Sequence, residues 1–142
     1  MSALDDLVAK QPFESVEADT ATSRKWLEDA SRHLEAANAI ADIDRSGAYV
    51  LAYDAARKSV AAALLTTGHR VRSRPGSHQA LAQFAKELAI QTGEPALERF
   101  DRLRRNRNRS EYSSMTFGEA EVREAIDIAR AIRAACAKFG NL

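Results

Sequence analysis

Apolar residues recur three and four positions apart along most of this chain, and a few polar turns interrupt them. The first sixteen residues read as an arm carrying one short helix around residues 3–9, which Pro12 ends. A long helix follows over about residues 19–42, with Leu27, Ala30, Leu34, Ala37 and Ala41 on one stripe and Trp26 beside it. The turn Asp44-Arg45-Ser46-Gly47 offers Asp44 or Ser46 as the cap of the next helix.

That next helix, about residues 47–67, behaves differently. Of the 18 residues from Ala48 to Leu65, 14 are hydrophobic, so it is apolar on most of its circumference and belongs at the centre, touched on several sides. Asp54, Arg57 and Lys58 in its middle exclude a transmembrane span. Gly68 ends it, and the polar stretch His69–Gly76, with Arg70, Arg72 and Arg74, reads as a loop. Ser77 is placed to cap a shorter helix over residues 78–90, with Leu81, Phe84, Ala85 and Leu88 inward. Pro95 suits the first position of a helix over residues 96–112. Thr116 and Glu119 have the spacing of a capping box for a last helix, which runs to about Phe139 before Gly140.

Composition settles the class. Alanine, the strongest helix former, occurs 28 times, against 6 each of Val, Ile and Thr. The expected fold is all-α, an up-and-down antiparallel bundle of four to five helices. With 142 residues the chain reads as an arm (1–16) and a single helical-bundle domain (17–142). The acidic opening MSALDDLVAK predicts no secretory leader, and the lone Cys136 makes neither an internal disulfide nor a structural zinc site. A cytoplasmic protein without a metal or other cofactor is the resulting expectation.

Charge changes the picture once it is divided along the chain. The total, 21 Lys and Arg against 20 Asp and Glu, is nearly balanced. Residues 1–68 carry 7 against 11, residues 69–109 carry 10 against 4, and residues 110–142 carry 4 against 5. The positive middle third contains six arginines between Arg99 and Arg109, opposed within that stretch by Asp101 alone. Successive helical positions step by about 100°, so six arginines in eleven residues cannot share one outward face. Leu97, Phe100 and Leu103 define the inward side, which puts Arg107 on that side and Arg104 at its edge. A charge aimed at a core is costly unless paired or set in a cleft. Two arrangements meet that condition: an Arg107–Glu111 pair at the helix end, or an anion-binding cleft bounded by arginines and Tyr112.

Other chemistry finds no support. The chain has no phosphate-binding glycine loop, no paired histidines at ligand spacing and no nucleophile elbow. His33 reads as a hydrogen-bonded core or boundary histidine, while Cys136 and Trp26 read as core residues at helical spacing.

The run Arg107-Asn108-Arg109-Ser110-Glu111-Tyr112 resembles the motif of the HEPN superfamily (higher eukaryotes and prokaryotes nucleotide-binding domains). That motif is an arginine, a polar residue, a few variable positions and a histidine. Arg107 and Asn108 match, and Tyr112 stands in the histidine's place. The stretch from Tyr53 to Val60, with Ala63-Leu64-Leu65 and Gly68, is similar to the family's alanine-rich helix with its recurrent tyrosine. Ser77-His78-Gln79-Ala80-Leu81 is similar to its segment in which a histidine opens the next helix.

The resemblance implies a four-helix bundle that homodimerises, with motif residues of both subunits lining one cleft. It implies either a metal-independent endoribonuclease, often a toxin of a toxin–antitoxin or defence pair, or a non-catalytic module that binds RNA, nucleotides or a partner such as an antitoxin or nucleotidyltransferase. On that reading Arg107, Tyr112 and Glu111 are the catalytic candidates, and Arg104, Arg105, Asn108 and Arg109 bind RNA phosphate. Guanidinium suits a phosphate in a bidentate fashion. Tyr112 is a weaker fit to the histidine's role: with a reference pKa of ~10 it is about 0.1% ionised at pH 7, so it donates a proton more readily than it accepts one. His78 is a candidate to enter the cleft from another helix. A plain structural bundle with solvated or ion-paired arginines is the remaining alternative.

Overall fold

The structure, a computed structural model, describes residues 2–10, 12–112 and 116–142, without the side chains of Glu111 and Tyr112. Among the described residues the elements run in the order α1 (Ala3–Val8), β1 (Phe13–Ser15), α2 (Thr20–Ile40), α3 (Arg45–Thr66), β2 (His69–Val71), α4 (Ser77–Thr92), a 3-10 turn (Pro95–Arg99), α5 (Phe100–Tyr112) and α6 (Glu119–Gly140). The bundle is all-α apart from one two-stranded ladder.

Helix α3 is the central element, as its circumference predicts. Ala48, Ala52, Ala55, Ala56, Val60, Ala62 and Ala63 have no exposed surface, and α2, α4, α5 and α6 all pack against it. Its alanines let neighbouring backbones approach closely, and polar groups tie the seams. Ser23 donates its hydroxyl to the Ala62 carbonyl at 3.0 Å, joining α2 to α3, and Arg133 Nε donates to the Leu27 carbonyl at 2.9 Å, joining α6 to α2. Phe84, Leu88, Leu97, Phe100, Leu103 and Ile132 fill the remaining core. Burying each such side chain stabilises by about 1.5–3 kcal/mol.

Asp44, rather than Ser46, caps α3, accepting from the Gly47 N–H at 2.9 Å. Several boundaries differ from the sequence reading. Residues 69–71 are a strand rather than loop: β2 pairs antiparallel with β1 in the register Phe13–Val71, Glu14–Arg70 and Ser15–His69. Glu14 bridges Arg70 and Arg72 across that ladder, and Phe13 enters the core beside Leu4 and Val8. The cap of α4 is Gly76 rather than Ser77, because at φ +90° a glycine is needed to turn the chain there. The helix begun at Pro95 starts as a 3-10 turn and becomes α-helical at Phe100. Thr116 does not cap α6. Gly118 does, with its N–H donating to Glu121 at 3.1 Å, so the acid of the box is two residues later than Glu119. Trp26 is half-buried rather than core, whereas Cys136 is fully buried.

Candidate functional site

The six arginines of the 99–109 run divide between directions, as the helical step requires. Arg102 turns to α6 and pairs with Glu124 at 2.5 Å. Arg99, Arg105 and Arg109 are exposed, with Arg105 within 3.3 Å of Asp101. Arg104 and Arg107 turn toward α3 and α4. The Arg104 side chain is only 15% exposed and holds Asp101 through Nε at 2.8 Å and a terminal nitrogen at 2.7 Å. Arg107 is half-buried, its Nε is closed off from solvent, and a terminal nitrogen donates to Asn108 Oδ1 at 3.5 Å. Arg104 and Arg105 thus share Asp101, Arg107 touches Asn108 one turn on, and Arg109 is exposed. The expected Arg107–Glu111 pair and the role of Tyr112 fall on side chains outside the described residues.

Two further elements lie within the field of these arginines. Tyr53 of α3 places its hydroxyl 3.1 Å from Nδ1 of His78, which sits in the first turn of α4. The Tyr53 ring is 3% exposed and packs on Phe100 with centroids 5.7 Å apart, so α3, α4 and α5 converge on one tyrosine. Burial lowers the His78 pKa below 6.5, and the positive charges of Arg57, Arg104 and Arg107 lower it further, against a smaller opposing pull from Asp54. His78 is therefore neutral at pH 7 and able to accept a proton. Burial raises the Tyr53 pKa against the opposing field of Arg57 and Arg104, and so keeps its hydroxyl protonated.

An open cleft of about 340 Å³ lies between α4 and α5, lined by Gln79, Gln83 and Lys86 on one side and by Glu98 of the 3-10 turn, Asp101, Arg104 and Arg105 on the other. The arrangement combines cations of three helices, a neutral imidazole and a protonated phenol. It can hold an anion and move a proton beside it. No group of His, Cys, Asp and Glu able to hold a metal occurs among the described residues.

Tyr53 and Arg57 join the site although neither stands out as a site residue in the sequence. Their signal is present there: Asp54, Arg57 and Lys58 are charges on a helix otherwise apolar all round, and such charges need a cleft or partners. Arg57 lies 3.7 Å from Asp54, and Lys58 reaches His33 Nε2 at 2.9 Å and Asp29 at 3.7 Å. His33 is half-buried and hydrogen-bonded, as its position on the α2 stripe predicts, and burial followed by the Lys58 charge lowers its pKa.

Fold and site together define an α-helical bundle with an arginine-lined cleft between α4 and α5. The family model described as HEPN domain matches residues 23–139, and the chain belongs to the HEPN family. No curated protein and no solved structure matches it.

Proposed function

We propose that this protein binds RNA by a backbone phosphate at Arg104, Arg107 and Asn108 and cleaves it without metal, with His78 as the proton acceptor. The observation that carries this reading is the 3.1 Å contact of Tyr53 with His78, set in the positive field of Arg57, Arg104 and Arg107. In metal-independent cleavage the 2′-oxygen attacks the adjacent phosphorus, a 2′,3′-cyclic phosphate forms, and the 5′-oxygen leaves with a proton. When His78 donates its Nδ1–H to the Tyr53 oxygen, Nε2 is the lone pair that takes the 2′-hydroxyl proton. Arg107 and Arg104 carry the charge that develops on the phosphate oxygens. Tyr112 is the proposed donor to the leaving oxygen, consistent with a phenol in the place of the motif histidine. Glu111 extends the polar end of α5, and Arg105 and Arg109 add long-range attraction for the strand.

A second reading is favoured by two observations: tyrosine stands where the motif has histidine, and Asp101 already occupies Arg104. On it the chain is a non-catalytic, dimeric cytoplasmic module that binds an antitoxin or a nucleotidyltransferase. The whole described bundle then acts as one domain behind a docking site.

Cleavage of a labelled single-stranded RNA in excess chelator decides between them. Activity is expected for the parent protein, with a loss of about 10²-fold or more in His78→Ala and Arg107→Ala. Affinity for uncleavable RNA is expected to fall with salt, with a shallower slope in Arg107→Ala. Salt-sensitive binding with no cleavage supports the non-catalytic reading, and no RNA binding at all rejects the site.

A further inference from the structure

A second groove of about 360 Å³ opens beside His78, between α2, α3, β2 and the start of α4. Trp26, Leu64, Val71 and Leu81 give it apolar surface, and Arg57, Arg70 and Arg72 line it as well. His78 and Arg57 belong both to this groove and to the electrostatic cluster around Arg104 and Arg107. Trp26, the single tryptophan of the chain, is half-buried, which leaves part of the indole at the groove surface.

We propose that this groove receives the nucleobase of the nucleotide whose phosphate the arginine cluster holds, with the base stacked against Trp26. The inference rests on the phosphate reading above and adds the part of the ligand that reading leaves unplaced. Three features point to a base. A ligand anchored by its anion at Arg57 and the neighbouring arginines meets an apolar surface next, so it must be amphipathic. The groove has the size of a small-ligand site and is open, which suits one flat ring system with its sugar. Its aromatic residue supplies a stacking platform that accepts any base, because every base has a π-face.

Trp26 is its own reporter, since stacking of a base on indole quenches emission. Adenosine 5′-monophosphate, an adenylate ribotetramer, ribose 5-phosphate and inorganic phosphate are titrated while tryptophan emission is followed. A labelled tetramer follows binding independently by anisotropy. Saturable quenching is expected from the base-bearing probes and none from ribose 5-phosphate or phosphate. The sugar phosphate should compete about tenfold less well than the mononucleotide. Quenching by both base-bearing probes assigns the groove to a free nucleotide as well as a strand, and quenching by the tetramer alone assigns it to a strand.

Ala61→Phe, which fills the groove from α3, is expected to abolish quenching while phosphate still competes with the labelled tetramer. Ser73→Glu, an exposed change at the rim, should weaken the quenching constant several-fold without touching the core. Tetramer binding with unchanged emission overturns the base groove and leaves the phosphate site standing. Absence of tetramer binding overturns both.

Discussion

Arg104 and Arg107 lie one helical turn apart on α5, and Asp101 treats them differently. Its carboxylate holds both Nε and a terminal nitrogen of Arg104 through one oxygen, with Arg105 near the other. An arriving phosphate therefore competes with Asp101 for the same donors. Asp101→Asn keeps the shape and removes the competing charge, so RNA affinity is expected to rise about fivefold at low salt. The slope of log affinity against log salt should steepen by about 1. Filter binding at several salt concentrations measures both. Weaker binding in Asp101→Asn instead identifies Asp101 as the group that orients Arg104. At this scale the sequence was readable for Arg104 and Arg107, because their angular positions relative to Phe100 and Leu103 follow from the helical step. His78 could be nominated only as a candidate, because nothing local says which neighbour its ring meets.

At the scale of the element, α3 does the most. Its buried alanines are small because neighbours press on it from several sides, and Ala56 has no exposed surface. Ala56→Leu inserts volume where no space is left, with an expected loss of about 1–3 kcal/mol. Thermal unfolding followed by circular dichroism checks this. An unchanged Tm would mean that the helix seams yield more readily than their packing indicates. The central place of α3 was legible in the sequence, because a helix apolar around its whole circumference must be covered by neighbours on several sides. The β1–β2 ladder was not. Three-residue strands show no alternation to read, and the partners stand more than fifty positions apart, joined by main-chain bonds that any side chains permit. The shift of the α6 cap from Thr116 to Gly118 has a similar origin. Two acids, Glu119 and Glu121, both suit a capping box, and tertiary placement chooses between them.

For the molecule as a whole, pH couples to folding through two histidines, the half-buried His33 and the more exposed His78. His33 and His78 both have pKa values lowered by burial and by nearby cations. The unfolded chain therefore binds protons at these sites at a higher pH than the folded one. By linkage, stability is fully present above the ordinary histidine value of 6.5 and declines as pH falls through it toward the depressed folded values. Tm is expected to fall between about pH 7.5 and pH 5.5. The lowered carboxylates Asp5, Glu14 and Asp19 act only in a more acidic range. A double variant, His33→Gln with His78→Gln, should flatten the decline across the histidine range. A flat profile in the parent protein would contradict the lowered pKa values of both histidines. The site itself is a whole-molecule property: Tyr53, His78 and Phe100 come from three helices, and only the packing of those helices makes them neighbours.

Cys136 carries a last consequence of that packing. Its thiol has no exposed surface, and burial alone pushes its pKa far above the usual thiol value, so the reactive thiolate is suppressed. Electrophiles and oxidants that mark surface sulfhydryls pass this protein by while its helices stay together. The rate at which Cys136 becomes alkylated is then a clock that ticks only when the bundle opens.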